Sequence, residues 1–93
     1  GECVARYNKM HLFDVQVADK HKNYCESEYT EAGSEVAVTN TPFGKIGLSV
    51  CYDLRFPELF RQQQVQGVEI LIVPAAFTAV TGRAHWEILL KAR

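Results

Sequence analysis

The sequence predicts an α/β fold built around a strand–helix–strand unit at residues 46–73. An apolar run at 46–50 is typical of a buried strand. The segment 57–66 has its apolar residues on one side, opens with proline and is followed by glycine, which predicts a helix. The run VEILIV at 68–73 predicts a second strand. Strands joined in this order are parallel, largely buried and connected by a right-handed crossover.

The elements before and after this unit follow from simpler patterns. Residues 3–13 are rich in β-formers and predict a strand with an irregular exit, and residues 14–34 are polar and predict a long loop. The alternation EVAVTNT at 35–41 predicts a half-exposed strand, and the turn Pro-Phe-Gly at 42–44 predicts a hairpin with the strand that follows. The stretch AHWEILLKAR at 84–93 predicts a helix.

Composition narrows the class of protein and of partner. The chain has 93 residues, enough for one small domain, and a net charge of −1 with both signs interspersed. This pattern argues against nucleic acid or an anionic membrane as a partner. Three cysteines without a repeated spacing, and no apolar run long enough to span a membrane, predict a reduced, cytoplasmic setting. No pair of residues has metal-ligand spacing, so neither a metal nor a cofactor is expected.

Cys51 is the residue with the clearest chemical prediction. It follows the strand at 46–50 directly, and a side chain at the carboxyl end of a buried strand projects into the crevice of an α/β sheet. The second parallel strand ends at the same edge, so the loop at 77–83 is a candidate wall of that crevice. We predict a catalytic thiol at Cys51, whereas Cys3 and Cys25 lack such a position and are interpreted as structural or incidental.

A thiol nucleophile needs an activating neighbour. Lys9 stands in an apolar stretch, where its ammonium either reaches back to solvent or points at the thiol and at the oxygen of an attacked carbonyl. The N–H of Tyr52 is the natural second donor to that oxygen. A histidine base, His11 or His85, is the competing arrangement, and spacing favours neither of them.

The remaining features are interpreted more simply. Arg55 and Glu58 flank the turn, and we predict that they pair to hold it rigid. A nucleotide-binding domain is a weaker alternative, since the turn after 46–50 lacks a glycine-rich phosphate loop.

Four stretches together resemble one protein family. They are RYNKMHLFDV, CES at 25–27, TPFGKIGLSVCYDLRFPEL and PAAFTAVTGRAHWEILLKAR, and they cover essentially the whole chain in order. They resemble the nitrilase superfamily of carbon–nitrogen hydrolases, and most closely its Nit1-type branch. The resemblance implies an α-β-β-α sandwich, of which the unit at 46–73 carries the nucleophile, and hydrolysis of non-peptide carbon–nitrogen bonds.

The resemblance also implies roles for individual residues. Family members use a Glu-Lys-Cys triad, in which the cysteine corresponds to Cys51 and the lysine to Lys9. The N–H of Tyr52 helps to bind the oxyanion, and Glu26, in preference to Glu28, is the further glutamate that assists catalysis or positions the lysine. The substrate wall corresponds to Phe77, Thr78 and Thr81.

The general-base glutamate of the family lies N-terminal to residue 1, and Glu2 does not match its motif. We therefore expect residues 1–93 to be the central segment of one carbon–nitrogen hydrolase domain, nearly inactive without the N-terminal and C-terminal parts. The full protein is expected to be an amidase on small ω-amides such as deaminated glutathione. The alternatives are an ω-amidase on α-ketoglutaramate and an N-carbamoyl amino acid hydrolase.

Two further expectations concern assembly. The resemblance implies a homodimer or higher homo-oligomer that pairs through the helices at 57–66 and 84–93. A truncated, non-catalytic binding or assembly module is the alternative from another class of function.

Overall fold

The computed structural model describes residues 1–16 and 23–93; the part of the predicted polar loop at 17–22 lies outside the described residues. The described elements, in chain order, are strands β1 (Asp14–Gln16), β2 (Asn23–Cys25), β3 (Ala37–Thr41) and β4 (Gly44–Leu48), helix α1 (Pro57–Val65), strand β5 (Ile70–Ile72) and helix α2 (Ala79–Ala92), with 3₁₀ turns at Glu26–Glu28 and Cys51–Arg55. Within these residues no helix is long and apolar enough to cross a membrane.

The main sheet confirms the predicted hairpin and crossover. Its strand order is β3-β4-β5, with β3 and β4 antiparallel and β4 and β5 parallel. Thr41 pairs with Gly44 at the tight end of the hairpin, and Ile46 pairs with Ile70 across the parallel pair. Helix α1 connects the two parallel strands, so the carboxyl ends of β4 and β5 lie at one edge of the sheet.

The prediction that both parallel strands are largely buried is wrong for β5. Ile70, Leu71 and Ile72 are 38%, 38% and 43% exposed. Parallel strands are buried by elements that cover both of their faces. Among the described residues β5 pairs with β4 only and its side chains are incompletely covered, so its aliphatic composition does not by itself produce burial.

The strand predicted at 3–13 is absent, because residues 1–13 contain no strand in the structure. Their backbone bonds to distant groups instead of to a neighbouring strand: Lys9 O accepts from Gly33 N at 2.8 Å, and His11 N donates to Asp53 Oδ1 at 3.1 Å. β-forming residues need a partner strand, which propensity cannot supply. The segment predicted as a loop holds the small antiparallel pair β1-β2 in its place.

Helix α2 begins five residues earlier than predicted. Thr78 is its N-cap, and the Thr78 hydroxyl accepts from Thr81 N at 3.2 Å. Most of the predicted wall loop at 77–83 is therefore the first turns of a helix. The helix ends at Ala92, close to the predicted end.

The core is small and lies beneath the turn at Cys51–Arg55. Leu54, Leu59 and Phe60 are buried, and partly buried side chains from the other elements pack against them: Met10, Val36, Val73, Phe77, Trp86 and Leu89. The core therefore joins the turn to α1, α2 and the N-terminal segment.

A polar contact holds α1 against the strand that leads into this turn. Gln63 is fully buried and donates from Nε2 to Leu48 O at 2.9 Å. A Cβ at Gly47 would lie 2.8 Å from Gln63 Cδ, so only glycine permits this close approach of helix and strand.

Candidate active site

Cys51 lies where the chain leaves the main sheet, as predicted. Val50 is still extended, whereas Cys51 opens the 3₁₀ turn and has a φ of +47°. A non-glycine residue in this left-handed region is disfavoured by roughly 1–2 kcal/mol. The amide of Cys51 donates to Pro74 O at 2.9 Å, which ties the turn to the chain just beyond β5. A thiol is thus held in a strained conformation at the shared edge of two parallel strands.

The thiol opens into a cavity of about 530 Å³. Every residue to which the family resemblance gave a role in the site lines this cavity, together with aromatic and apolar groups from other parts of the chain. The predicted residues are Lys9, Glu26, Cys51, Tyr52, Phe77, Thr78 and Thr81. Residues that are 72 positions apart in sequence, Lys9 and Thr81, therefore face one space.

Lys9 and Glu26 form an ion pair at the cavity wall. Lys9 Nζ lies 2.8 Å from Glu26 Oε1 and 3.1 Å from Oε2, and the two side chains are 12% and 32% exposed. The interpretation in which Lys9 reaches back to solvent is therefore wrong. Glu28, one residue beyond Ser27 on the same turn, is exposed. The pair uses two of the three N–H donors of the ammonium, and its charge is poorly screened because the lysine is mostly buried.

Another wall of the cavity is the beginning of α2. Phe77 packs edge-on against Trp86, with ring centroids 5.0 Å apart. The hydroxyls of Thr78 and Thr81 lie 2.6 Å apart, and both side chains face the cavity. Because this wall is the amino end of a 14-residue helix, its backbone dipole adds a partial positive charge there.

Arg55 is a charged cavity residue that sequence reasoning assigned to another role. Its guanidinium lies 5.3 Å from the centroid of the Phe77 ring and donates to His85 Nδ1 at 3.3 Å. The predicted Arg55–Glu58 pair is wrong, since the ion pairs of the described residues do not include it. The position of Arg55 in the turn that starts at the thiol was the signal available in the sequence.

Neither candidate histidine lines the cavity. His11 Nδ1 bonds to Asp53 Oδ1 at 2.8 Å, and its ring stacks on Phe56 at a centroid distance of 3.8 Å. His85 accepts from the arginine described above. The structure therefore gives no support to a cysteine–histidine pair in the described part of the chain.

Asp53 is the functional candidate that sequence reasoning missed. Its side chain is fully buried and accepts hydrogen bonds from the Tyr7 hydroxyl, the His11 backbone and ring, and Val50 N. Burial and the hydrogen bond to this carboxylate raise the pKa of Tyr7 well above its ordinary value, so that the phenol stays a donor. An aspartate two residues after the thiol was the only sequence signal.

No group of three or more metal-ligating side chains occurs among residues 1–16 and 23–93.

A comparison with known families identifies the chain. The model of the carbon-nitrogen hydrolase family matches residues 1–93. The chain belongs to the carbon-nitrogen hydrolase family. It is 57% identical over 93 residues to a protein of Yersinia enterocolitica named deaminated glutathione amidase, a match that covers all of this chain and 32% of that protein. The chain thus spans about a third of the length of this relative.

Solved structures agree with this assignment. Nit3 of Saccharomyces cerevisiae, a member of branch 10 of the nitrilase superfamily, superposes with a TM-score of 0.75 at 37% identity, over 92% of this chain and 28% of Nit3. The NitFhit protein of Caenorhabditis elegans superposes with a TM-score of 0.77 at 48% identity, over 92% of this chain and 21% of NitFhit. These findings confirm the predicted carbon–nitrogen hydrolase resemblance and the α/β, nitrilase-like fold.

Proposed function

We propose that this chain carries the nucleophile of an amidase that hydrolyses small amides through a thioester. The proposal is supported by the cavity that both Cys51 and the ion-paired Lys9 line. The sulfur attacks the amide carbonyl carbon, and the tetrahedral intermediate collapses with cleavage of the C–N bond. The nitrogen accepts a proton and leaves as ammonia from a primary amide, or as an amine from a substituted amide such as deaminated glutathione. Water then attacks the thioester, releasing the carboxylate product and restoring the thiol.

The negative oxygen of the intermediate is bound by two donors in this proposal. One is the Lys9 ammonium, aimed by its bonds to Glu26. The other is Tyr52 N–H: the amides on either side, Cys51 N and Asp53 N, donate to Pro74 O and Val50 O and are thus engaged. Donors held in place before the charge develops are worth most in a partly buried site.

The general base is proposed to lie outside residues 1–93. Glu26 is the one carboxylate among the described cavity-lining residues, and it is bonded to Lys9 through both oxygens. A carboxylate engaged in this way suits the positioning of a lysine better than the removal of a proton from the thiol. Residues 1–93 are accordingly proposed as the central segment of the domain, and the homo-oligomeric state of the full protein stays a prediction.

The cavity favours a small amide that also carries a carboxylate. Arg55 supplies a guanidinium, and Phe77 and Tyr24 supply apolar surface beside it. Deaminated glutathione, an amide with carboxylate groups, is the favoured substrate, supported by the name of the Yersinia enterocolitica relative. α-Ketoglutaramate and N-carbamoyl amino acids carry carboxylates too and are the alternatives.

The test is amide hydrolysis by the full-length protein. Ammonia release is measured with α-ketoglutaramate, an N-carbamoyl amino acid and a nitrile, and release of the amine product is measured with deaminated glutathione. The proteins assayed are the unchanged protein, Cys51→Ala and Cys25→Ala. We expect the highest kcat/KM on deaminated glutathione, loss of at least a thousandfold in Cys51→Ala, on the order of what removing a nucleophile causes, and unchanged activity in Cys25→Ala. Faster turnover of the nitrile would overturn the amidase assignment, and no turnover of any of the four would favour the non-catalytic module.

A further inference from the structure

The Asp53 carboxylate connects two segments that are distant in sequence. Its Oδ1 accepts from His11 N at 3.1 Å and from His11 Nδ1 at 2.8 Å. Its Oδ2 accepts from the Tyr7 hydroxyl at 2.7 Å and from Val50 N at 2.9 Å. Each oxygen therefore holds two donors, and the side chain itself is 0% exposed.

The partners of this carboxylate bracket both chemical groups of the site. Tyr7 and His11 lie two residues before and two residues after Lys9, and Val50 directly precedes Cys51. One buried carboxylate thus accepts hydrogen bonds from residues on both sides of Lys9 and also from the residue that precedes Cys51.

We propose that Asp53 is a positioning residue that sets the placement of the Lys9 ammonium relative to the Cys51 thiol. This role rests on the proposed function, because it matters to catalysis only if both groups act on one substrate. Asp53 touches neither substrate nor reacting atoms and acts through the two segments that it joins.

Glu26 cannot take over this task, although it binds Lys9 directly. Glu26 N donates to Phe13 O at 3.2 Å, so the carboxylate that holds the ammonium belongs to the same N-terminal region as the lysine. Lys9 and Glu26 can move together without changing their own distance. The position of Lys9 and Glu26 relative to the turn at Cys51–Arg55 depends on contacts between the N-terminal region and that turn.

Three kinds of contact span that boundary: core packing, ring contacts and the hydrogen bonds of Asp53. Met10 packs against the core beneath the turn, the rings of Phe13 and Tyr52 lie 5.1 Å apart, and His11 stacks on Phe56. Packing and ring contacts tolerate sliding, whereas hydrogen bonds to a charged acceptor are short and directional. The hydrogen bonds of Asp53 are therefore the contacts that fix one position of the Lys9 segment relative to the turn that bears Cys51.

Asparagine at this position cannot reproduce the network. It replaces one acceptor oxygen by an NH₂ group, which would face a backbone N–H, that of His11 or that of Val50, whichever way the amide is turned. A backbone N–H can only donate, so that hydrogen bond is lost, whereas the His11 ring, by a change of tautomer, or the Tyr7 hydroxyl, by rotation, can accept from the NH₂ group. Asp53→Asn keeps the volume of the side chain and removes one of its two backbone hydrogen bonds.

The experiment is a double-mutant cycle on thiol reactivity in the full-length protein. The rate of Cys51 alkylation by iodoacetamide at pH 7 is measured by peptide mass spectrometry, which separates it from the other cysteines. The variants are Asp53→Asn, Lys9→Met and their combination. Tyr7→Phe, which deletes one donor, is a milder variant that keeps the test available if Asp53→Asn fails to fold. Thr41→Val is the control, because it removes the hydrogen bond from Thr41 to Gly44 O at the far end of the hairpin.

We expect Asp53→Asn to slow alkylation of Cys51 about three- to tenfold when Lys9 is present and less than twofold when Lys9 is replaced by methionine. A coupling of this size is usual for residues of one hydrogen-bond network. Tyr7→Phe should show the same dependence with a smaller factor, and Thr41→Val should have no effect. Equal slowing in both backgrounds would overturn the proposal, because Asp53 would then act on the turn alone. Unchanged alkylation in Lys9→Met or in Asp53→Asn would overturn it too.

This readout is independent of the amidase assignment. Amide hydrolysis that survives in Cys51→Ala would refute the proposed function, whereas the alkylation cycle would still report whether Asp53 couples Lys9 to the thiol.

Discussion

The left-handed conformation of Cys51 leads to an unusual expectation about its replacement by glycine. At most positions glycine is less favourable than alanine, by roughly 0.5–1 kcal/mol, because the unfolded chain loses more freedom on folding. Cys51 has a φ of +47°, where a side chain with a Cβ is disfavoured and glycine is not. We therefore expect Cys51→Gly to be more stable than Cys51→Ala.

The size of the effect follows from two opposing contributions. Relief of the left-handed conformation favours glycine by roughly 1–2 kcal/mol, and the entropy of the unfolded chain favours alanine by roughly 0.5–1 kcal/mol. Both variants lose the same thiol, so its contacts cancel in the comparison. The difference of these two ranges runs from about 0 to 1.5 kcal/mol, so the net expectation is that glycine is more stable at this position by about 0.75 kcal/mol.

Cys25 provides the matched control, because it is an exposed cysteine with a negative φ of −139°. There we expect the opposite order, with Cys25→Ala more stable than Cys25→Gly. Urea unfolding of the full-length protein, followed by far-ultraviolet circular dichroism, measures all four variants. If alanine exceeds glycine at Cys51 by the same margin as at Cys25, the strain assigned to the Cys51 backbone does not exist.

Three further predictions follow from other contacts. Glu26→Gln should lower kcat in a steady-state amidase assay about 100-fold, because the Lys9 ammonium is no longer held in one orientation by a carboxylate. Glu28→Gln, on the same turn but exposed, should change kcat less than twofold. Equal effects of the two substitutions would contradict the role assigned to Glu26. Because folding raises the pKa of Tyr7 above its ordinary value near 10, by burial and by its hydrogen bond, the stability it contributes is complete below about pH 10 and is lost as the pH rises beyond that value. Urea midpoints should therefore decrease at alkaline pH less steeply in Tyr7→Phe than in the unchanged protein, and parallel decreases would refute this. Gly47→Ala should destabilise the protein by about 1–3 kcal/mol, because its Cβ would meet Gln63 at 2.8 Å; an unchanged urea midpoint would show that the helix shifts freely.

The strand–helix–strand unit could be predicted because its signals are local. Aliphatic runs, the proline that opens α1 and the glycine that follows it define the crossover without knowledge of distant contacts. Its handedness and the shared edge of its strands follow from general rules, so the position of Cys51 followed as well. The early start of α2 could not be predicted in this way, because its N-cap, Thr78, is one of five threonines in the chain and the sequence alone does not show which of them caps a helix.

The N-terminal segment shows where local signals fail. Its β-forming residues predicted a strand, yet its backbone is bonded to Gly33 and to the Asp53 carboxylate. Nothing near Lys9 in the sequence indicates that its neighbours meet a buried aspartate 42 or more residues away. Arg55 illustrates the same limit, since its partner His85 lies on another element.

The sequence by itself determined the family of the protein and led to the prediction of its candidate reactive groups. Motif order and the crossover pattern were sufficient for the carbon–nitrogen hydrolase resemblance, and they singled out Cys51, Lys9 and Glu26. Only the tertiary structure decided how these groups are held: a left-handed backbone at the thiol, an ion pair at the lysine and one buried carboxylate between them. The physical reason is that reactive side chains are local properties of the sequence, whereas hydrogen-bond partners across the chain are chosen by packing.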